Sequence, residues 1–340
     1  MYPSKSSLSV ISLACVAALA LGGCSAGSDT SAQDAGGKSS ASSQASGSAN
    51  SSSSAQSSAS AGQSGAASSE SPSATPSPSA DTSAKIFDGK RYVALYGAPG
   101  NPALGVLGEQ GPAESVTRVK QLVEQYQPHS QEKVVPAFEV IATTASSVPG
   151  ADGDYSDEAS VESLKPLVDE AEKNGVYVVL DIQPGRSDFL SQIKRYEELL
   201  KRPNVGVGID PEWRLLPWQV HLEQIGSVTA EEVNQSLAYL AELTAKNGLP
   251  QKMVVVHQFT QSMISNRELL DVSHPELALT LHADGHGTPG LKKDTYASLL
   301  QGLSPQIKPS WKNFYDEDTP MLTPAETYAL TPKPWVVTYQ

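Results

Sequence analysis

Eight apolar runs rich in β-branched residues, separated by stretches of helical period, constrain this chain more than any other feature. The runs cover 91–96, 134–141, 177–182, 205–210, 253–258, 277–282, 307–312 and 335–339. Helical periodicity falls between them, over 113–126, 158–174, 188–201, 230–247, 261–270, 291–303 and 324–330. Strands joined through helices pair in parallel, and eight of them predict an α/β fold, a closed (β/α)8 TIM-type barrel. A doubly wound open sheet is the competing architecture. The last run ends the sequence, so the final outer helix is expected to be missing or replaced.

Alternation within the runs supports closure. In the fourth, Val205, Val207 and Ile209 share one face and Gly206, Gly208 and Asp210 the other. The first set suits contact with outer helices, the second a crowded barrel interior. Small residues precede polar ones in Ala94 and Tyr96, Ala137 and Glu139, Thr280 and His282, Thr338 and Gln340. Helix ends are marked too. Thr229 with Glu232 and Thr323 with Glu326 have capping-box spacing, Pro324 suits a first helical position, and Asn174-Gly175 and Asn247-Gly248 read as stops. In 188–201, Phe189, Ile193, Tyr196 and Leu200 fall on one face.

The first 84 residues are of another kind. Lys5 precedes an apolar run over 8–21, too short to span a bilayer, and Gly22-Gly23-Cys24 follows. Leu21-Gly22-Gly23-Cys24 resembles a bacterial lipobox, which implies a signal peptide over 1–23 and a lipid on Cys24. Residues 24–84 are dominated by Ser, Ala and Gly and end in a Pro-spaced stretch. They carry too little apolar surface to offset the entropy of ordering, so a disordered tether is expected, leaving 85–340 as the barrel domain. Two of the 24 basic and four of the 37 acidic residues precede residue 85, so the domain holds 22 against 33 and is acidic. Such a domain has no electrostatic footprint for nucleic acid. Both cysteines, Cys15 and Cys24, precede it, which excludes a disulfide, a thiolate nucleophile or a Cys-based metal site there.

In a barrel of this type the chemistry gathers where strands end. Those ends carry Tyr96, Glu139, Asp181 with Gln183, Asp210 with Glu212, His257 with Gln258, His282 with Asp284, and Lys312 with Tyr315. The sharpest unit is Asp210-Pro211-Glu212-Trp213. Two carboxylates at i and i+2 on an extended strand point the same way, about 6–7 Å apart along the backbone, and raise one another's pKa. One then serves as acid while another stays ionised, as glycoside hydrolysis requires. No G-x-G-x-x-G, P-loop or G-x-S-x-G motif accompanies these groups.

The Asp-x-Glu after the fourth strand resembles chitinase-type and muramidase-type glycosidases, a resemblance that implies Glu212 as acid/base and Asp210 as its partner. Where the chitinase-type signature has further Asp residues upstream, this chain has Val205 and Gly208. The segments YGAPG, LGEQGP, DGDY, LDIQPGR, DPEWR, HQF, GTPG and WKNFYDED resemble uncharacterised actinobacterial surface lipoproteins, over nearly the whole domain.

The expectation is therefore a surface-anchored lipoprotein whose barrel acts on or binds a cell-envelope or extracellular glycan. Glu212 is the candidate acid/base, Asp210 tunes it, and Asp181 or Glu139 is the second carboxylate. Tyr96, Gln183, Trp213, His257, Gln258, His282, Asp284, Lys312 and Tyr315 are candidate substrate contacts. The alternatives are a non-catalytic glycan- or peptide-binding lipoprotein, and a metal-dependent hydrolase using His257, His282, Asp284 and His286. Asp316-Glu317-Asp318 and Asp152-Gly153-Asp154 read as solvated loops rather than calcium sites; Trp213, Trp218, Trp311 and Tyr315 together suggest a carbohydrate platform, though core packing explains each one better. No cofactor is expected, and the expected state is a monomer on the outer side of the cell membrane.

Overall fold

The computed structural model describes residues 83–340; the expected signal peptide, Cys24 and nearly all of the tether lie outside the described residues. The eight expected strands are present: β1 Lys90–Gly97, β2 Lys133–Ala145, β3 Tyr177–Ile182, β4 Val205–Ile209, β5 Lys252–Gln258, β6 Leu277–Ala283, β7 Lys308–Asn313 and β8 Val336–Tyr339. They pair in parallel in chain order, and β1 closes the ring by lying between β2 and β8, with Leu95 beside Phe138 on one side and Tyr339 on the other. The barrel reading holds and the open sheet does not.

The helices are α1 Pro112–Tyr126, α2 Val161–Lys173, α3 Phe189–Arg195, α4 Glu197–Leu200, α5 Ala230–Lys246, α6 Pro289–Leu300 and α7 Pro324–Tyr328. Their apolar faces meet the outward side chains of the strands, with Val119, Leu167, Ile193 and Leu237 packed in one cluster with Val93, Phe138, Leu180, Val207 and Val254. Among the described residues the outer face of β8 is covered by neighbours. Tyr339 meets Tyr126 of α1 through a 2.5 Å hydroxyl contact, and the Tyr126 ring packs edge-on against Tyr328 of α7.

Inside the barrel the N-terminal half is apolar, filled by Ile86, Tyr92, Ala94, Ala137, Tyr177, Val179, Met253, Val255 and Val336. The inward positions of β4 are glycines because there is no room for more. A Cβ on Gly206 would stand 2.3 Å from the Met253 carbonyl oxygen, and one on Gly208 2.8 Å from Asp181 Oδ1.

Three local expectations are corrected. The apolar spacing over 261–270 forms no α-helix. Short 3-10 turns flank a strand, Ile264–Ser265, that pairs with Val228–Thr229, and Asn266 turns the chain at φ 54°. The helix expected over 188–201 breaks at Tyr196 into α3 and α4, where the Tyr196 hydroxyl donates to the Ala142 and Ala159 carbonyls at 2.7 and 3.0 Å. Those tertiary bonds outweigh one intrahelical turn. Thr323 and Glu326 complete a capping box, whereas at Thr229 only half forms, since the Glu232 carboxylate is taken by Arg214 at 2.8 Å. Both Asn-Gly stops end their helices, with Gly175 and Gly248 at positive φ. Among the described residues no helix is long and apolar enough to cross a membrane.

Candidate active site

Stepping two residues onward from the apolar layer, the same inward faces become ionisable. β1 presents Tyr96, β2 Glu139, β3 Asp181, β5 His257, β6 His282, β7 Lys312 and β8 Thr338, and just past their strands come Gln183, Asp210 and Asp284. All are buried. Glu212 sits on a short turn, Pro211–Trp213, that follows β4, and is half-buried.

His257 is the hub. Its Nε2 lies 2.9 Å from Glu139 Oε1 and 3.7 Å from Asp181 Oδ1, and its Nδ1 lies 2.8 Å from Asp284 Oδ2. Lys312 Nζ stands 3.0 Å from Asp284 Oδ1 and 3.7 Å from the centre of the Tyr96 ring. The Tyr96 hydroxyl donates to Asp181 Oδ2 at 2.8 Å, and Gln183 Nε2 reaches that hydroxyl at 3.4 Å. Gln183 is held in turn, its backbone NH donating to Thr143 Oγ1 and its Oε1 accepting from Ala145 NH. His282 lies 3.3 Å from His257 between their Nδ1 atoms, and its Nε2 meets Thr338 Oγ1 at 3.0 Å.

Five carboxyls here face two side chains that stay cationic, and the low dielectric decides which ionise. Burial works against charge on His257, yet Glu139, Asp181 and the bond to Asp284 hold it as imidazolium well above the usual range. Lys312 stays charged likewise, its burial outweighed by Asp284, Asp210 and Glu139. His282 is the reverse: burial and the neighbouring His257 push it down to about 3, so it is neutral. Asp284 overcomes burial through Lys312 and His257 and lies well below the usual carboxylate range; Glu139 overcomes it through His257. The remaining carboxyls move up. Burial raises Asp181, with Glu139 adding repulsion, and burial together with Glu212 raises Asp210 far more. Glu212 is pushed up to about 7, by burial first and by the Asp284 charge second. Four buried carboxyl oxygens, Glu139 Oε2, Asp181 Oδ1, Asp210 Oδ1 and Asp284 Oδ1, have no hydrogen-bond partner, the last facing Lys312 Nζ as an ion pair.

The four candidate catalytic carboxyls and Tyr96, Gln183, His257, His282, Asp284 and Lys312 thus gather at one end of the barrel. Others do not. Gln258 follows His257 on a strand and so faces away, bonding the Thr260 carbonyl and Arg267. Tyr315 lies on the outside of the mouth against Tyr339, under the Arg118 guanidinium. Trp311 is buried against Tyr296 with its indole NH on Asn313, a packing position. Trp213 stacks on His221 next to Glu212, in a segment that leaves and returns at the site: Gly226 NH donates to the Glu212 carbonyl at 2.7 Å. Along that segment Leu216, Trp218, Val220, Leu222 and Ile225 are exposed.

The donors could group around a cation as Glu139, His257 and His282, or as Asp210, His257 and Asp284. Each set needs His257, whose two ring nitrogens both donate to carboxylates, so it presents no lone pair. His286, expected with these ligands, is exposed and packs edge-on against Phe314. A cavity of about 450 Å³ lies at the opposite end, lined by Phe87, Asp88, Gln251, His274, Pro275 and Lys308. Sequence reasoning missed Thr338 as the group that faces His282, and missed Asp284 as the strongly ionised carboxylate. The second was detectable: Asp284 is two residues past inward-facing His282.

No protein-family model matches the chain, and no curated protein sequence matches it. Among solved structures the chain is similar to an oxaloacetate acetylhydrolase in complex with the inhibitor 3,3-difluorooxalacetate, at 11% identity and a TM-score of 0.44 over 75% of this chain and 76% of that one.

Proposed function

We propose that the barrel mouth hydrolyses a glycosidic bond in a cell-envelope or extracellular glycan, with Glu212 as general acid. The observation that carries this reading is the contrast between Glu212 and Asp284. Glu212 is half-buried and pushed up to about 7, so it keeps a proton near neutrality, while Asp284 is held ionised by Lys312 and His257. Two carboxyls whose surroundings drive their pKa values apart are what acid-assisted departure of a sugar requires. Glu212 gives its proton to the glycosidic oxygen as the C–O bond breaks; water then adds to the anomeric carbon as hydroxide, and its remaining proton returns to the Glu212 carboxylate. Asp284 supplies negative charge near the oxocarbenium-like carbon. Asp210 tunes Glu212, and Glu139 and Asp181 fix His257 and Tyr96. Trp213, adjacent to Glu212 in the chain and stacked on His221, and exposed Trp218 on the same segment offer apolar ring faces. Delivery to a wall polymer follows from the expected lipid on Cys24, which a Cys24→Ser change should abolish when lipid incorporation is measured.

Glu212→Gln should lower release of reducing ends from cell-wall polysaccharide by roughly 10²–10⁴-fold with the circular dichroism unchanged. Because the protonated form acts, the wild-type rate should fall as pH rises through about 7. Equal turnover by the variant would end this reading. A second reading is favoured by the burial of Glu139, Asp181 and Asp210 at 1% exposure or less and by the engagement of both Asp284 oxygens: glycan binding without turnover. It predicts affinity on a glycan array and no reducing ends from the wild type.

A further inference from the structure

Beside the barrel mouth, the loop that follows β4 has its polarity reversed. Nine large apolar side chains are exposed among the described residues, and five of them, Leu216, Trp218, Val220, Leu222 and Ile225, lie on this one segment. Trp218 is 75% exposed. The polar side chains between them turn inward instead. Gln219 Oε1 accepts from the Leu216 NH at 2.8 Å, and the Gln224 carboxamide closes on both backbone groups of Val220. His221, half-buried, stacks on Trp213. The neck of the loop closes where Gly226 NH meets the Glu212 carbonyl, and a Cβ on Gly226 would stand 2.4 Å from that oxygen. Leu215 NH donates to the Gly185 carbonyl at 2.6 Å. The Arg186 guanidinium, 3.9 Å from the Tyr155 ring centre, donates twice to the Gln219 carbonyl, at 3.0 and 2.7 Å. A loop suited to water turns amides outward and apolar groups inward. This one does the reverse.

We infer that the loop over 215–226 docks on the surface of a lipid bilayer, its apolar side chains entering the acyl boundary and the barrel mouth facing the membrane. An exposed apolar patch of this kind marks an interaction site, and the loop's chemistry selects lipid as its occupant. Amides that close on the loop's own backbone are what a medium without hydrogen-bonding groups demands. Protein interfaces favour Tyr and Arg at their anchors, and 215–226 holds neither. Its one formal charge is Glu223, so no cation is present to seek phosphate or an acidic partner. Trp among aliphatic chains is the combination that settles at a bilayer interface. The chain outside the described residues agrees. Cys24, the expected lipid position, is separated from Ser83 by residues 25–82, 58 in all. At up to about 3.3–3.6 Å per residue, that length lets the domain turn its mouth to the membrane that holds it. Trp213, next to Glu212, keeps the sugar-facing role of the hydrolytic reading, and Trp218 passes to lipid; docking itself does not depend on hydrolysis.

The test is co-sedimentation with phosphatidylcholine vesicles of the chain from residue 24, which keeps every described residue, with Cys24→Ser to remove the lipid site. This parent should bind. Each large apolar side chain removed should weaken binding roughly tenfold. Trp218→Ser/Leu222→Ser should therefore lose about a hundredfold with the circular dichroism unchanged. Glu212→Gln should bind as tightly as the parent, which separates a failure of docking from a failure of hydrolysis. In the lipidated chain, brominated phosphatidylcholine should quench Trp fluorescence, and Trp218→Phe should remove most of that quenching. Absence of sedimentation, or equal binding by the double variant, would overturn the inference. So would dimerisation in solution that the double variant loses, since the apolar face would then belong to a second copy. Tighter binding to phosphatidylglycerol that salt abolishes would assign the contact to charge and overturn it as well, because an acidic domain entering through apolar side chains gains nothing from anionic lipid.

Discussion

Two layers of one barrel, a single inward step apart, have opposite physical chemistry. In the N-terminal layer Ala137, Val179 and Val255 fill the interior beside Tyr92, Tyr177 and Met253. Two residues further along the same strands stand Glu139, Asp181 and His257, beside Tyr96 and Lys312. Backbone, twist and helical cover are shared, so the difference belongs to the side chains alone. The lower layer gains roughly 25 cal/mol per Å² of apolar surface removed from water. The upper layer desolvates charges that recover the loss only through close pairing, and burial raises the pKa values of Asp181, Asp210 and Glu212. One layer closes the fold; the other keeps a poised, costly set of acids at the opening.

The largest contrast should come from removing each layer's centre. Met253→Ala leaves a cavity and should cost ~2–5 kcal/mol with little dependence on pH. His257→Ala strips the imidazolium from Glu139 and Asp284 and should cost ~3–5 kcal/mol. Its pH dependence is fixed by two signs. The raised His257 pKa gives stability that is complete below the unfolded imidazole value of roughly 6.5 and fades as pH rises through the folded one. The depressed Glu139 pKa gives stability present above the unfolded carboxyl value of roughly 4.3 and lost as pH falls through the folded one. The His257 penalty should therefore peak between those two values. Urea midpoints at several pH values decide it; parallel curves for both variants would erase the distinction between the layers.

How much of this contrast the sequence discloses depends on the range of the interaction involved. Strands β4 and β5 are legible because β-branched residues alternate with glycine or pack on both faces, a period-2 signal local to the chain. The convergence of Glu139, Asp181, Asp210 and His257 follows from parity alone, once eight strands close. The pairing of His257 with Glu139 is not legible, because 118 residues separate them and only the register of the ring brings them to 2.9 Å. Gln258 shows parity misapplied: adjacent to His257, it has to face the other way. The 261–270 segment shows local pattern losing to tertiary structure, since Met263, Ile264, Leu269 and Leu270 have helical spacing but Ile264 is drawn into pairing with Val228.

A smaller effect sharpens the contrast at the mouth. Glu212 is raised from 4.5 to about 7, so the fold favours its protonated form. That preference adds stability fully present below the unfolded value and lost as pH climbs through about 7. Glu212→Gln carries no such liability. Each tenfold change in proton affinity corresponds to about 1.36 kcal/mol. At pH 8 the variant should therefore be more stable than the wild type by up to about 3 kcal/mol, and near pH 4 the two should coincide. A gain in stability joined to lost turnover marks a functional acid held against the preference of the fold. Equal stability at both pH values would mean that Glu212 is freely solvated and that the upper layer ends at Asp210.

The finest comparison uses two tyrosines four residues apart on β1. The Tyr92 hydroxyl donates to the Ile86 carbonyl at 3.1 Å, and the Tyr96 hydroxyl donates to Asp181 Oδ2 at 2.8 Å. A neutral hydrogen bond contributes about 1 kcal/mol net, and one to a charged acceptor about 1.5–3. Tyr92→Phe should thus cost about 1 kcal/mol at any pH. Tyr96→Phe should cost more, but only where Asp181 is ionised. Burial raises Asp181 and the Tyr96 hydroxyl pulls it back down, so losing that hydroxyl lets the carboxyl keep its proton to higher pH. The excess cost of Tyr96→Phe over Tyr92→Phe should therefore grow from near zero in acid to roughly 1 kcal/mol in mild alkali. Paired denaturation curves measure that excess. If it stays at zero throughout, Asp181 never ionises in the fold, and the charge on His257 rests on Glu139 and Asp284 alone.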